Sequence, residues 1–273
     1  MSGWDAWVAT WRMHARGGAF RSRLERAARV VQDAVAIEGV RWVACNSGGK
    51  DSVALLAVLH AAGVRMPVVH AWCEINAPGM DEVARASCAK LGIELEEIEP
   101  QDETGAAIDV FAWLEALPHD QHILEPDLLR HVDRLVASGN MLVAYQYARG
   151  FTGAMSGMRA EESKGRRMNR KIRGHTYQLG VDKHWMCNPL GDWTARDVFA
   201  AAVAFDLPIH PHYQALFERF GVSPESPASR VDSLLVDDSI AARGALEHAR
   251  VIYPELWSRL VAARPELRRS GGA

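Results

Sequence analysis

Apolar residues recur three and four apart at Leu24, Ala27, Ala28, Val31, Ala34 and Val35 with charges between them. That spacing predicts an amphipathic helix over residues 19–38. A short β-prone run, Val40–Cys45, comes next. After the polar turn Asn46-Ser-Gly-Gly, a helix is expected from Asp51 to Ala62, stopping at Gly63. Pro67–Trp72 predicts a second buried strand, Met80–Leu91 a helix, and Ile93–Ile98 a half-exposed strand alternating apolar with acidic residues. Strands alternating with helices imply βαβ units and a parallel sheet.

Residues 102–150 carry a mostly helical pattern broken at Pro118 and Pro126. Phe151–Met158 and His184–Leu190 predict a fourth and a fifth strand. Thr194–Phe205 predicts a helix with Thr194 as its N-cap. From Pro208 the chain reads as helices and loops, with helices near Ser239–Ala249 and Pro254–Ala262. The expected fold is a doubly wound α/β domain with about five parallel strands. It divides into an N-terminal helical segment (1–39), the α/β domain (40–215) and a C-terminal helical extension packed on it (216–273). Trp4, Trp7 and Trp11 form one helical stripe with Val8, which suits either the protein's own core or a dimer or partner contact.

Composition narrows the class. With 48% hydrophobic and 24% charged residues the chain is globular, not disordered. The 31 Lys+Arg against 34 Asp+Glu leave a net charge of −3, so any site for a polyanion must be local. Four cysteines without a CxxC exclude a disulfide framework and a zinc ribbon. The first residues lack signal-peptide order, and no apolar run approaches a membrane span. A cytoplasmic protein with no membrane partner is therefore expected.

The sharpest chemistry lies in Ser47-Gly48-Gly49-Lys50-Asp51-Ser52, between a predicted strand and a predicted helix. Glycines let backbone approach a ligand closely, and a helix N-terminus presents N–H groups that suit phosphate. Ser47 and Ser52 add hydroxyls and Lys50 a charge. Asp51 stands where a carboxylate is favoured and where it could help hold a metal ion. The hexapeptide is neither a Walker A loop nor GxGxxG. It resembles the SGGxDS pyrophosphate loop of the PP-loop ATP pyrophosphatases, which share the adenine nucleotide α-hydrolase-like fold.

Two further segments extend the resemblance. Gly157-Met-Arg159-Ala-Glu161-Glu162-Ser163 is similar to a GxRxxES segment. Asn188-Pro189-Leu190-Gly-Asp-Trp193-Thr194-Ala-Arg-Asp197-Val198, continued by Pro208-Ile-His-Pro211-His-Tyr213, is similar to a PL-x-x-W-T-x-x-D-V segment followed by P-x-x-P-x-Y. These mark the group that holds PAPS reductases, the small subunit of two-subunit ATP sulfurylase and the sulfur-inserting enzymes of DNA phosphorothioation. The resemblance implies a nucleotide-binding domain over 40–215. Its catalytic residues would be Lys50, Asp51 and Arg159, with Asn46, Ser47, Gly48, Gly49, Ser52, Arg166 and Arg167 binding the nucleotide. ATP with Mg²⁺, the metal at Asp51, is the implied cofactor set. Cleavage between the α and β phosphates would adenylate an acceptor, a nucleic acid or a sulfur carrier, or activate sulfate with a partner subunit; a homodimer is also possible.

Departures from the family sharpen this. The intact SGGKDS wording looks more like ATP-using members than PAPS reductases, whose loop is usually degraded. The last cysteine is Cys187, so the cysteine-bearing ECGIH-like tail of those reductases is missing, as are the paired cysteines of a cluster-bearing APS reductase. The acid–Thr–Gly stretch of ATP sulfurylase is replaced by Ala71-Trp-Cys-Glu-Ile-Asn76, with Glu74 out of frame. Sulfonucleotide reduction by an external thiol, or nucleotide binding without turnover, stays the alternative.

From Arg159 to Arg173 seven basic residues face two acids, +5 over fifteen residues. A solvated helix face, a segment closing on polyphosphate and a contact to a nucleic-acid backbone all fit it, and its nearness to Arg159 favours the second. Cys45, Cys73 and Cys187 fall near strand ends, where a metal or persulfide role is conceivable, and Cys88 in a helix; a small hydrophobic role is the ordinary one. His210 and His212 read as loop residues, and Glu94, Glu96, Glu97 and Glu99 as an exposed strand edge.

Overall fold

The computed structural model describes residues 3–102, 104–116, 138–180, 183–231 and 245–265. Its helices are α1 (Gly3–Ala15), α2 (Gly18–Val35), α3 (Lys50–Ala61), α4 (Met80–Leu91), α5 (Val110–Ala116) and α6 (Ser138–Ala148). They continue with α7 (Lys164–Arg173), α8 (Ala195–Ala204), α9 (Pro211–Phe220), α10 (Ala245–Ile252) and α11 (Pro254–Ala263). The strands are β1 (Trp42–Cys45), β2 (Val68–Ala71), β3 (Leu95–Ile98), β4 (Gly153–Met155), β5 (Thr176–Leu179) and β6 (His184–Cys187). Pro118, Pro126 and residues 239–244, where sequence suggested helical breaks and a helix start, lie outside the described residues.

One six-stranded sheet runs in the order β3-β2-β1-β4-β6-β5. β1 pairs parallel with β2 on one side, Ala44 opposite Val68, and with β4 on the other, Ala44 opposite Met155. β6 continues the parallel set beside β4, with Met155 opposite Cys187. The doubly wound expectation holds, with one strand more: β5 runs antiparallel to β6 and forms the edge, Tyr177 opposite Met186. Buried on both faces, the central strands read as apolar runs without alternation. The order reverses between β1 and β4, which makes their carboxyl ends the switch point where open α/β sheets bind ligands.

Two compact units interleave along the chain. The first comprises Met1–His70, Gly79–Glu96 and Gln146–Val231; the second comprises Ala71–Pro78, Glu97–Tyr145 and Asp232–Ala273. Residues from the N-terminal helical segment pack into the first unit's core. There α3, in which every residue from Val53 to Leu59 is buried, lies against α2, α4 and α8. A helix apolar all round belongs in such a core.

The tryptophan stripe of α1 serves that same core. Trp11 is fully buried and stacks on Phe199 of α8, ring centroids 4.3 Å apart, while Trp4 and Trp7 surround it. Thr194 caps α8 as expected, in a reciprocal box with Asp197. The buried Asp197 also accepts from His14 at 2.8 Å and Arg23 at 2.9 Å, which ties α8 to the N-terminal helices.

In the second unit Cys73, Ile75, Val110, Phe111 and Leu114 form a core with Leu256, Leu260 and Val261. Arg259 lies 3.8 Å over the Phe111 ring and pairs with Glu74. The buried Arg264 donates to the Leu114 carbonyl. No helix among the described residues is long and apolar enough to cross a membrane.

Candidate active site

Residues 46–52 leave the carboxyl end of β1 and enter α3 directly. Asn46 fixes the start of the turn. Its amide bonds to the Val69 carbonyl, its side-chain oxygen accepts from the Gly48 amide at 3.0 Å, and its Nδ2 donates to Ala84. The Asn46 carbonyl in turn bonds at 2.7 Å to His70, fully buried on β2. Asn46 itself is 1% exposed. The structure thus makes it a brace inside the turn, with no polar atom left for a nucleotide.

Gly48 has φ +76°, and a Cβ on it would sit 2.0 Å from the Met80 carbonyl oxygen at the start of α4. Only glycine fits that approach. Gly157, which follows β4, meets the same demand from the other side: a Cβ there would lie 2.5 Å from the Asp51 carbonyl. The start of α4 and the segment after β4 are therefore packed backbone to backbone against the loop and the first turn of α3.

The first turn of α3 has amides with no intrahelical acceptor. That of Lys50 donates to the Tyr213 hydroxyl at 3.1 Å. Ser47 and Ser52 hydroxyls lie 3.2 Å apart, and Ser52 also donates to the Gly49 carbonyl. Tyr213 belongs to the P-x-x-P-x-Y run, whose Pro211 opens α9. Sequence reading quoted Tyr213 without giving it a place at the site, and only the fold shows it there.

Lys50, Asp51 and Arg159 converge. Arg159 Nε donates to Asp51 Oδ1 at 2.5 Å, and Lys50 Nζ lies 3.1 Å from Asp51 Oδ2. Burial alone would raise the Asp51 carboxyl, but Lys50 and Arg159 outweigh it and hold the pKa below the usual range. Lys50 is buried, and its ammonium also donates to the Ser229 carbonyl at 3.1 Å and lies over the Tyr213 ring. It forms the rear wall of the site, holding Asp51 and the 229 segment, where sequence suggested a direct phosphate contact.

Arg159 is set by its own neighbours. Its Nη1 donates to Glu161 at 2.5 Å, and its amide donates to Glu162. Glu161 also accepts from the Ala195 amide at the start of α8, and the Ala160 amide bonds to the Gly191 carbonyl. The Pro189–Asp197 segment is thus the scaffold of the arginine.

Arg166 and Arg167 are not brought to the loop. Arg166 pairs with Glu162, and Arg167 stands on the exposed face of α7; neither has a bond to residues 46–52. Nor does Asp51 fit the Mg²⁺ ligand that the sequence suggested. Each of its oxygens already faces a cation, so a metal there would meet two positive charges at contact distance. Burial pushes Cys45 up to about 12 and Cys73 and Cys187 up to about 11, and it raises Cys88 as well. His210 accepts from the His212 amide through Nδ1 and stands over Gly79, beside the start of α4.

Residues 41–228 match the sequence profile described as the phosphoadenosine phosphosulfate reductase domain. No curated protein sequence matches the chain. Among solved structures, PAPS reductase from Candida auris in its phosphate complex is similar at 14% identity, over 68% of this chain and 82% of that one, with a TM-score of 0.52. The U34-tRNA thiolase NcsA from Methanococcus maripaludis with its [4Fe-4S] cluster matches at 13% identity over 93% and 81%, TM-score 0.48. NMN synthetase from Francisella tularensis matches at 15% identity over 93% and 96%, also at 0.48. At such identities the structural likeness is one of fold alone. The profile spans most of the chain, from the start of β1 past Tyr213, and so covers the loop, Arg159 and their scaffold: the chain belongs to the phosphoadenosine phosphosulfate reductase domain family of the PP-loop proteins.

Proposed function

We propose that the chain binds ATP with its pyrophosphate end on residues 47–52, cleaves it between the α and β phosphates, and adenylates an acceptor in sulfur transfer or sulfur activation. The observation that supports this most is the Arg159–Asp51 contact, which joins the ends of β4 and β1 at the sheet's switch point. An acceptor oxygen attacks the α-phosphorus, and the bond to the bridging oxygen breaks. Negative charge then gathers on the departing pyrophosphate. The Asp51 and Ser52 amides, the Ser47 hydroxyl and the Arg159 guanidinium are the donors offered to it. Asp51 and Glu161 hold the guanidinium in register, and Lys50 holds Asp51 from behind.

The test is turnover of α-labelled ATP, with AMP-bearing products and pyrophosphate measured in the presence of candidate acceptors. Arg159→Lys removes the planar fork that Asp51 and Glu161 grip, and it should lower turnover about 100-fold. Turnover unchanged in Arg159→Lys and in Asp51→Asn would overturn the assignment. Tight ATP binding without cleavage would mark a nucleotide-binding subunit instead.

The family match favours one other reading, sulfonucleotide reduction. With Cys73, Cys88 and Cys187 buried, Cys45 half-buried and all four thiols raised, the reducing thiol would come from outside the chain. Sulfite released from PAPS in the presence of a small dithiol, with no cleavage of ATP, would select it.

A further inference from the structure

The basic run around α7 divides into two populations. Arg159, Arg166 and Arg170 turn inward and pair with Asp51 and Glu161, with Glu162, and with Asp192. Lys164, Arg167 and Lys171 turn outward on one face, at helical positions i, i+3 and i+7, and all three are exposed. Among the described residues no carboxylate lies within ion-pair distance of these three. Arg173 leaves the row, its guanidinium resting over the Tyr177 ring.

Three unneutralised cations in line over about 10 Å of helix axis, in a chain of net charge −3, are a local polyanion site. We propose that this face of α7 docks the phosphate backbone of a B-form DNA duplex. A phosphate backbone supplies the complementary row of charges. Aromatic residues are absent from the row, so nothing there stacks on unpaired bases, and a duplex fits better than a single strand. An exposed α-helix also meets B-form DNA across its open major groove, which the A-form of duplex RNA narrows.

The apolar content argues against a protein partner. Met168 and Ile172, 52% and 72% exposed, lie beside the cation row, while the other exposed large apolar side chains stand on other elements. Two aliphatic side chains supply a small part of the roughly 800 Å² that each partner buries in a stable protein interface. Ser163, whose side chain caps α7, is only four residues from Arg159. As the acceptor side of adenylyl transfer a docked duplex rests on the function proposed above, but the docking itself needs no nucleotide.

The experiment is anisotropy of a fluorescent 20-base-pair DNA duplex titrated with the full chain at several salt concentrations. Neutralising three phosphates predicts a slope of log affinity against log salt of about −2.7. The K164E/R167E/K171E variant should bind at least about 100-fold more weakly at low salt, with the slope falling towards zero. Met168→Ala with Ile172→Ala should change affinity less than about threefold, as expected where phosphate contacts carry binding. If the triple variant folds poorly, Lys171→Glu alone should reduce the slope by about one unit. No binding at low salt, binding that the charge reversals leave intact, or tighter binding of a single strand or an acidic peptide would overturn the proposal. ATP affinity is read in the same samples. Its absence with DNA binding intact counts against the nucleotide assignment alone, and the converse against the docking alone.

Discussion

The Tyr213 hydroxyl accepts a hydrogen bond from the Lys50 amide at 3.1 Å, joining positions 163 residues apart at the first turn of α3. Tyr213 is 1% exposed, its ring lies under the Lys50 ammonium, and it packs edge-on against Phe199. Tyr213→Phe keeps the ring and removes the acceptor, leaving a buried N–H unsatisfied. The expected cost is about 1–3 kcal/mol, read as a lower urea midpoint. Nucleotide affinity, measured by calorimetry, should change with it, because the freed amide faces the same turn.

Gly48 offers a harsher test. An alanine there needs φ +76° and meets the Met80 carbonyl at 2.0 Å, backbone against backbone. Gly48→Ala should destabilise the fold by about 3 kcal/mol or more and abolish nucleotide binding. A melting temperature close to the parent's would show that the loop and α4 can separate freely.

Acid should weaken the protein through two carboxylates. Burial alone would raise Asp197, but hydrogen bonds from His14 and Thr194 and the charge of Arg23 hold it below the usual range; Asp51 is held low in the same way by Lys50 and Arg159. A carboxyl with a folded pKa below its unfolded value of about 3.9 adds stability above that value and loses it as pH falls through the folded pKa. Urea midpoints should therefore drop as pH is lowered from about 5 towards 3. Asp197→Asn should start lower and fall less steeply.

The thiols give a chemical prediction. With Cys45 at about 12 and Cys73 and Cys187 at about 11, almost no thiolate exists near neutral pH. Iodoacetamide should label the native chain at least about 100-fold more slowly than the urea-unfolded chain, whose thiols titrate near 8.5. Cys187→Ser should leave nucleotide affinity unchanged. One cysteine reacting at the unfolded rate would return a thiol to the candidate chemistry.

How much of this the sequence discloses depends on how local the cause is. α4 spans the expected residues, because a left-handed Gly92 stops it and its apolar spacing is regular. Thr194 and Asp197 announce the α8 cap within four residues. The β5 edge is another matter. Thr176–Leu179 is polar, half-exposed and four residues long, and only its antiparallel register with β6 makes it a strand. The direction of Lys50 is hidden for a related reason. Its ammonium turns to Ser229, 179 residues away, so no neighbour in sequence tells whether the charge faces the crevice or the wall. Likewise Arg166 and Arg167 look alike in the basic run, yet a single carboxylate, Glu162, takes one inward and leaves the other outside.

Glu161 holds two partners at once, the Arg159 guanidinium and the Ala195 amide. From Ala195 the connection continues through the Thr194–Asp197 box to His14 and Arg23. If Arg159 swings away from Asp51 to meet a phosphate, Glu161 must follow or let go, and the amide of Ala195 then exchanges its hydrogen faster. That one amide is a built-in gauge of occupancy, readable at the N-terminus of α8 by hydrogen exchange without any label in the crevice.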